Sequence, residues 1–344
     1  MPADPTVSAD DVPAATAVVL PPKAAGGDAG TLGLLLLVSC VVIWGVNAVA
    51  FKVAQRPSVG VGLDPVLLNG VRFLLVAPLL VLIVRLRRPD ALKVTDRRDL
   101  WRYALFGFVS IVLGETLPAA AVRFTSVANM TLLGPGTISL FTALWAVVLR
   151  EQRLSRSGWV GALVATCGVA LVAAAGRGGL RLEGGTALLG DAIALGRSAT
   201  QGLYLLFLVR TLRERSVLTV SVYNVVFGAL LFLPYVLWKA PSVPWARVPP
   251  QVWAAVAWSV LPTTVYGFLV WNWAMRRAGA VAATNVMYLQ PVFGALAAWL
   301  ILGEPLRAGQ VLGGLVIVGG IVVLRWDAMR GAGFTPRLPW RRSV

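Results

Sequence analysis

Histidine is missing from all 344 residues. Its absence removes the side chain that most often acts as a general base and most often ligates metals. Cysteine is almost absent. Cys40 and Cys167 each lie in an apolar stretch, where a thiol behaves as a small hydrophobe. Neither a disulfide framework nor a metal site is expected, and no cofactor is implied. Charge is scarce too: Asp, Glu, Lys and Arg make up 13% of the chain, against about 25% in a soluble domain. A surface that poor in charge must face lipid over most of its area. Acid is scarcer than base, 15 residues against 31, for a net charge of +16. Such a balance can mark a nucleic-acid binder. Here, however, the positive residues fall in short connectors between apolar runs, the pattern that fixes membrane orientation. Membrane lipids, and no nucleic acid, are therefore the expected surroundings.

Apolar runs are what remains, at 58% hydrophobic residues. A helix needs about 20 mostly apolar residues to cross a bilayer. Ten segments qualify, at 31–54, 65–86, 101–122, 126–149, 158–175, 188–209, 217–238, 251–274, 279–302 and 308–325. Open sheet edges are not tolerated in hydrocarbon, so spans this long are helices. The expected fold is an all-α membrane protein of ten transmembrane helices. Residues 1–30, rich in Ala, Pro and Asp, read as a disordered tail without a secretory leader pattern, and 328–344 as a basic tail.

Orientation follows from the connectors. Of the 31 Lys and Arg residues, 21 fall on the side that holds the N-terminus and 8 on the other. The remaining two, Arg72 and Arg197, lie inside spans. Both termini are thus expected in the cytoplasm, with the chain in a bacterial-type cytoplasmic membrane.

The same program is written twice. Asn129 is followed by Pro135 as Asn285 is by Pro291, and a Glu comes after each, at Glu151 and Glu304. Trp101 matches Trp253, and Gly161 and Gly168 match Gly313 and Gly320. Five spans per half is an odd number, so the second half enters the membrane upside down. The expected architecture is two inverted five-helix repeats, 31–175 and 188–325, a plan used by many secondary transporters.

Several of these residues resemble a known group. Trp44-Gly45, Arg72-Phe73, the stretch Ala128 to Pro135, Gly168-Val169, Gln290-Pro291-Val292-Phe293 and Leu302-Gly303-Glu304 are similar to the EamA-domain branch of the drug/metabolite transporter superfamily. The resemblance covers about residues 33–325. The first half departs from the pattern in having Arg150-Glu151 where Gly-Glu is usual. The resemblance implies ten helices in an EamA-like arrangement, a central cavity, alternating access and a small organic solute as substrate.

Charge inside a span is costly and tends to face a wet interior. Glu115, mid-depth in the third span, reads either as a proton-coupling or cation-binding carboxylate or as the ion-pair partner of Arg72 or Arg197. Arg72, the Arg of the family's Arg-Phe pair, reads as structural or gating. Arg197 suits a substrate carboxylate, because a guanidinium matches that group bidentately. Lys52 and Asp191 sit nearer span ends, within snorkelling reach of headgroups. Asn129 and Asn285 can bond solute or neighbouring helices. Trp44, Asn47, Tyr266 and Tyr288 are candidate lining residues. Pro118, Pro135 and Pro291 are candidate kinks. The glycines of spans five and ten suit packing on each other or on a second protomer, so a homodimer is an open arrangement. A non-enzymatic secondary transporter, exporting an amino acid, metabolite or drug, with proton coupling as an open option, is the expected function. A channel or scaffold is the alternative, and an intramembrane enzyme is a poorer one.

Overall fold

The computed structural model describes residues 28–87, 89–92, 97–150, 154–176, 185–211, 217–278 and 286–324. Asn285, residues 1–27 of the expected first tail and the whole 328–344 tail lie outside these. Every regular element among the described residues is helical. In chain order they are α1 (Asp28–Gln55), α2 (Pro65–Arg87), α3 (Arg97–Gly107), α4 (Gly114–Ala121), α5 (Val127–Leu133), α6 (Ile138–Val148) and α7 (Arg156–Gly176). Then come α8 (Gly185–Thr211), α9 (Val217–Lys239), α10 (Pro250–Trp258), α11 (Gly267–Ala278), α12 (Gln290–Leu302) and α13 (Ala308–Leu324).

The chain is an all-α, multi-pass membrane protein. Among the described residues, seven continuous helical stretches are long and apolar enough to cross a bilayer. Three of the ten expected spans are not among them. The helix α8 is 27 residues long, but Asp191, Arg197 and Gln201 dilute its apolar character. The helices α12 and α13 are apolar but only 13 and 17 residues long. Leucines such as Leu163, Leu300 and Leu315 are exposed on the bundle exterior, where lipid replaces water. Trp101 and Trp238 are exposed near helix ends, as interfacial tryptophans are.

The helices interlock across the two halves of the chain. The first-half helix α1 packs against α10, α11 and α12, while the second-half helix α8 packs against α4, α5 and α6. The remaining long helices pair one to one, α2 with α9 and α7 with α13. The α7–α13 pair is the tightest seam. A Cβ on Gly168 would stand 2.7 Å from the backbone nitrogen of Ile317, and one on Gly313 would stand 2.9 Å from that of Val172. Gly161 and Gly320 face backbone at closer range still. The glycine faces of these two helices are therefore taken up by each other within one chain.

Four features interrupt the helices at mid-bundle. Phe108–Leu113, between α3 and α4, and Ser259–Tyr266, between α10 and α11, are wound as π-helix, with one extra residue per turn. A break at Gly134 separates α5 from α6, with Pro135–Thr137 as a single 3₁₀ turn. A turn at Tyr288–Leu289 precedes α12, placing Pro291 in its first turn, where a missing N–H costs nothing. Carbonyls freed at the Gly134 break are answered by side chains. Thr137 donates to Leu133 O at 2.6 Å, and Ser198 of α8 donates to the carbonyls of Leu133 and Gly134.

Candidate functional site

The interruptions surround one cavity of about 340 Å³. Its wall is drawn from both halves: Trp44, Asn47 and Phe51 on α1, Arg72 on α2, Glu115 and Pro118 on α4, Pro135 at the break, Arg197 on α8, and Phe268, Met287 and Gln290 from the second half. Another cleft, bounded by Leu75, Pro78, Leu79, Trp253 and Leu261, has an almost wholly apolar lining on the α2–α10 surface, suited to lipid chains rather than a solute.

Within the cavity, Arg72 is thoroughly bonded. Its Nη1 donates to a Glu115 carboxylate oxygen at 2.7 Å and to Asn69 Oδ1 at 3.4 Å. Its Nη2 donates to Thr264 Oγ1 at 2.7 Å, and its Nε to Ser259 O at 3.2 Å and to Thr264 Oγ1 at 3.1 Å. The π-helical turn makes this possible, because unwinding there leaves the Ser259 carbonyl open to Arg72 and to the Thr264 hydroxyl. The Arg72 guanidinium also lies over the Phe73 ring, 4.8 Å from its centroid. Glu115 pairs with Arg72, yet its side chain keeps 28% exposure while Arg72 keeps 3%. The carboxylate is the accessible partner of the pair.

Arg197 is different. Its Nε lies 3.4 Å from Gly114 O, and its buried Nη1 has no acceptor. Glu115 is the carboxylate that acts on it electrostatically, but no salt bridge joins the two. Beside Arg72, Asn47 accepts from Ser259 Oγ at 2.7 Å, and the Trp44 indole donates to Thr263 O at 3.0 Å.

A second polar cluster lies at one end of the bundle, around the first turn of α5. Ser126 caps that helix by accepting from the Asn129 amide at 3.1 Å, and one Glu304 oxygen accepts from the Val127 amide at 2.9 Å. The other Glu304 oxygen pairs with Lys52 of α1. Asn129 donates to both oxygens of Asp191, at 3.0 and 3.2 Å, and accepts from Gln310 at 2.8 Å. Thr125 completes the set with a 2.6 Å bond to Asp191.

Of the residues singled out from sequence, Trp44, Asn47, Arg72, Glu115, Pro118, Pro135 and Arg197 line the central cavity. The others do not. Asn129 is buried in the end cluster as a bond between helices. Tyr266 bonds Ser39 at 2.8 Å in the seam between α1 and the second half, and Tyr288 faces Ser139 at 3.3 Å. Pro291 packs near Gly136 rather than lining the wall. Neither Lys52 nor Asp191 snorkels: Lys52 is paired, and Asp191 is 1% exposed. Sequence reasoning passed over Asn69, Ser259, Thr263 and Thr264. A run of two hydroxyl residues after Pro262 in an apolar span was the available signal.

The model of the EamA-like transporter family matches residues 31–174 and 188–326. An "Uncharacterized transporter" of Archaeoglobus fulgidus is 24% identical over 287 residues, 83% of this chain and 95% of that protein. A "Probable amino-acid metabolite efflux pump" of Salmonella typhimurium is 25% identical over 304 residues, 86% of this chain and 93% of its own length. A solved crystal structure shares the fold with a TM-score of 0.58 at 18% identity, covering 87% of this chain and 98% of the other. This chain belongs to the EamA-like transporter family. It is a multi-pass membrane transporter.

Proposed function

We propose that this member of the EamA-like transporter family exports its solute by alternating access, with the Arg72–Glu115–Arg197 cavity as the transport site. The observation that carries the reading is the convergence on one cavity of interrupted helices from both halves. Two inverted five-helix repeats, residues 31–175 and 188–325, form the frame in this proposal. Three findings support it. The first helix of each half is lodged in the other half. The π-helical turns fall at corresponding places, just before Glu115 and just before Gly267. Arg150 and Gly303 close corresponding helices with positive φ, at 58° and 66°. With both termini cytoplasmic, as the Lys and Arg distribution favours, the end cluster around Lys52 and Glu304 lies on the outer face. Outward direction is supported by the efflux pump among the relatives.

Glu115 is the coupling group in this scheme. Among the described residues it is the one carboxylate lining the cavity, it is accessible, and its partner Arg72 is held by other bonds when Glu115 takes a proton. Purified protein in proteoliposomes, loaded with labelled amino acids and small metabolites, should show saturable flux and counterflow. Folded protein without flux for any of them would end the carrier reading. The Glu115→Gln variant keeps an acceptor for Arg72 but cannot titrate. It should lose flux driven by a pH gradient and retain solute exchange. Undiminished pH-driven flux would make Glu115 a structural ion-pair partner only.

A further inference from the structure

The charges that line the cavity do not balance. Two guanidinium groups, Arg72 and Arg197, face it with one carboxylate, Glu115. Arg72 spends all three of its nitrogens on protein acceptors, while Arg197 leaves Nη1 unanswered. Taking an unpaired cation out of water costs several kcal/mol, and a polar acceptor near it would have lowered that cost. The neighbouring side chain one turn along α8, Gln201, also has a buried oxygen without a partner. Arg197 thus carries an unanswered donor, without a salt bridge, at the wall of a cavity whose other surfaces are largely aromatic and apolar, including Trp44, Phe51, Phe268 and Met287.

On the reading of this cavity as the transport site, we infer that the solute is a monocarboxylate with an apolar body, its carboxylate held on the Arg197 fork. Three physical points select that class. One negative charge cancels the net excess of one positive charge, whereas a phosphate dianion would overshoot it. A planar carboxylate matches the guanidinium fork with two parallel bonds. The cavity, about 340 Å³, is near the lower end of the usual 300–1,000 Å³ for small-molecule sites. It therefore suits a solute the size of an amino acid rather than a large drug. The methionines Met130 and Met287 give the apolar wall room to adjust to differently shaped bodies.

The test uses four solutes of one shape with different charge: 3-phenylpropionate, its uncharged amide, 3-phenylpropylamine and phenylalanine. Binding to the purified full chain is read by thermal shift and calorimetry. The carboxylates, 3-phenylpropionate with or without phenylalanine, should bind, and the amide and amine should bind at least about 10-fold more weakly, the loss of a charge-assisted hydrogen bond. Arg197→Met should lose that preference, and Arg197→Lys should retain part of it, as a point charge without the fork. If Arg197→Met does not fold, the charge series on the wild type and on Arg197→Lys decides. Equal binding of amide and acid, preference for the amine, or no binding of either carboxylate would overturn the inference. Flux of neutral or cationic solutes in the liposome experiment would overturn it too, while leaving the carrier reading intact.

Discussion

Two regions of this bundle bury charge, and they treat it in opposite ways. Around the first turn of α5, Glu304 is shared between Lys52 and the Val127 amide, and Asp191, Asn129 and Gln310 answer one another in sequence. In the central cavity, Arg72 is equally well bonded, but Arg197 beside it is not. A fully answered set fixes helices at chosen positions and gains nothing from a ligand. A charged group with an unanswered donor at a cavity wall gains a great deal from one. On the proposed reading, the contrast separates residues that hold the fold from residues that hold the cargo, although both are charged groups inside apolar spans.

The sharpest way to break the contrast is to remove one arginine at a time. Arg72→Met strands Glu115 and the Asn69 side-chain oxygen together, so it should cost about 3–5 kcal/mol and deplete folded protein on size-exclusion chromatography. Arg197→Met removes an orphaned donor and should elute with wild-type yield. Equal losses in the two variants would erase the distinction. A smaller effect is expected at the other cluster. Glu304→Gln keeps an acceptor for Val127 but discharges the partner of Lys52, at a cost of about 1–3 kcal/mol in thermal melting. Its solute affinity should be unchanged, and a changed affinity with unchanged melting would reverse the assignment of roles. The smallest effect lies outside both regions. Arg150 ends its helix at φ 58°, the left-handed region that Gly303 occupies without penalty in the other half. Arg150→Gly should raise the melting temperature, with a gain of about 1 kcal/mol.

Much of this was legible beforehand because a charge in an apolar run is conspicuous. Arg72, Glu115 and Arg197 stood out for that reason, and so did Pro118 and Pro135 in spans that should not contain proline. What sequence conveyed poorly was direction around the helix axis. Tyr266 and Tyr288 lie at the right depth, but a rotation of about 100° per residue decides which way a side chain points. Tyr266 therefore turns toward Ser39 and away from the cavity. Thr264 escaped notice because its role depends on the π-helical turn, and a single extra residue per turn leaves little trace in composition. The end cluster was hidden by distance along the chain: Lys52 and Glu304 are 252 residues apart, so Lys52 read alone as a charge reaching for headgroups and Glu304 only as a mark of the repeat. The glycine seam was the reverse case, since a face of glycines repeated at helical spacing announces a close neighbour without saying which.

That seam limits how the protein can move. Where α7 and α13 meet, backbone touches backbone through Gly161, Gly168, Gly313 and Gly320, with no side-chain layer between to flex. Sliding one helix along the other would drive main-chain atoms into each other within a fraction of a turn. The pair therefore travels as a single beam. In the proposed alternating-access cycle, the displacement that opens the cavity first to one side and then to the other would fall to the helices already interrupted at Gly134, at Tyr288–Leu289 and in the two π-helical turns.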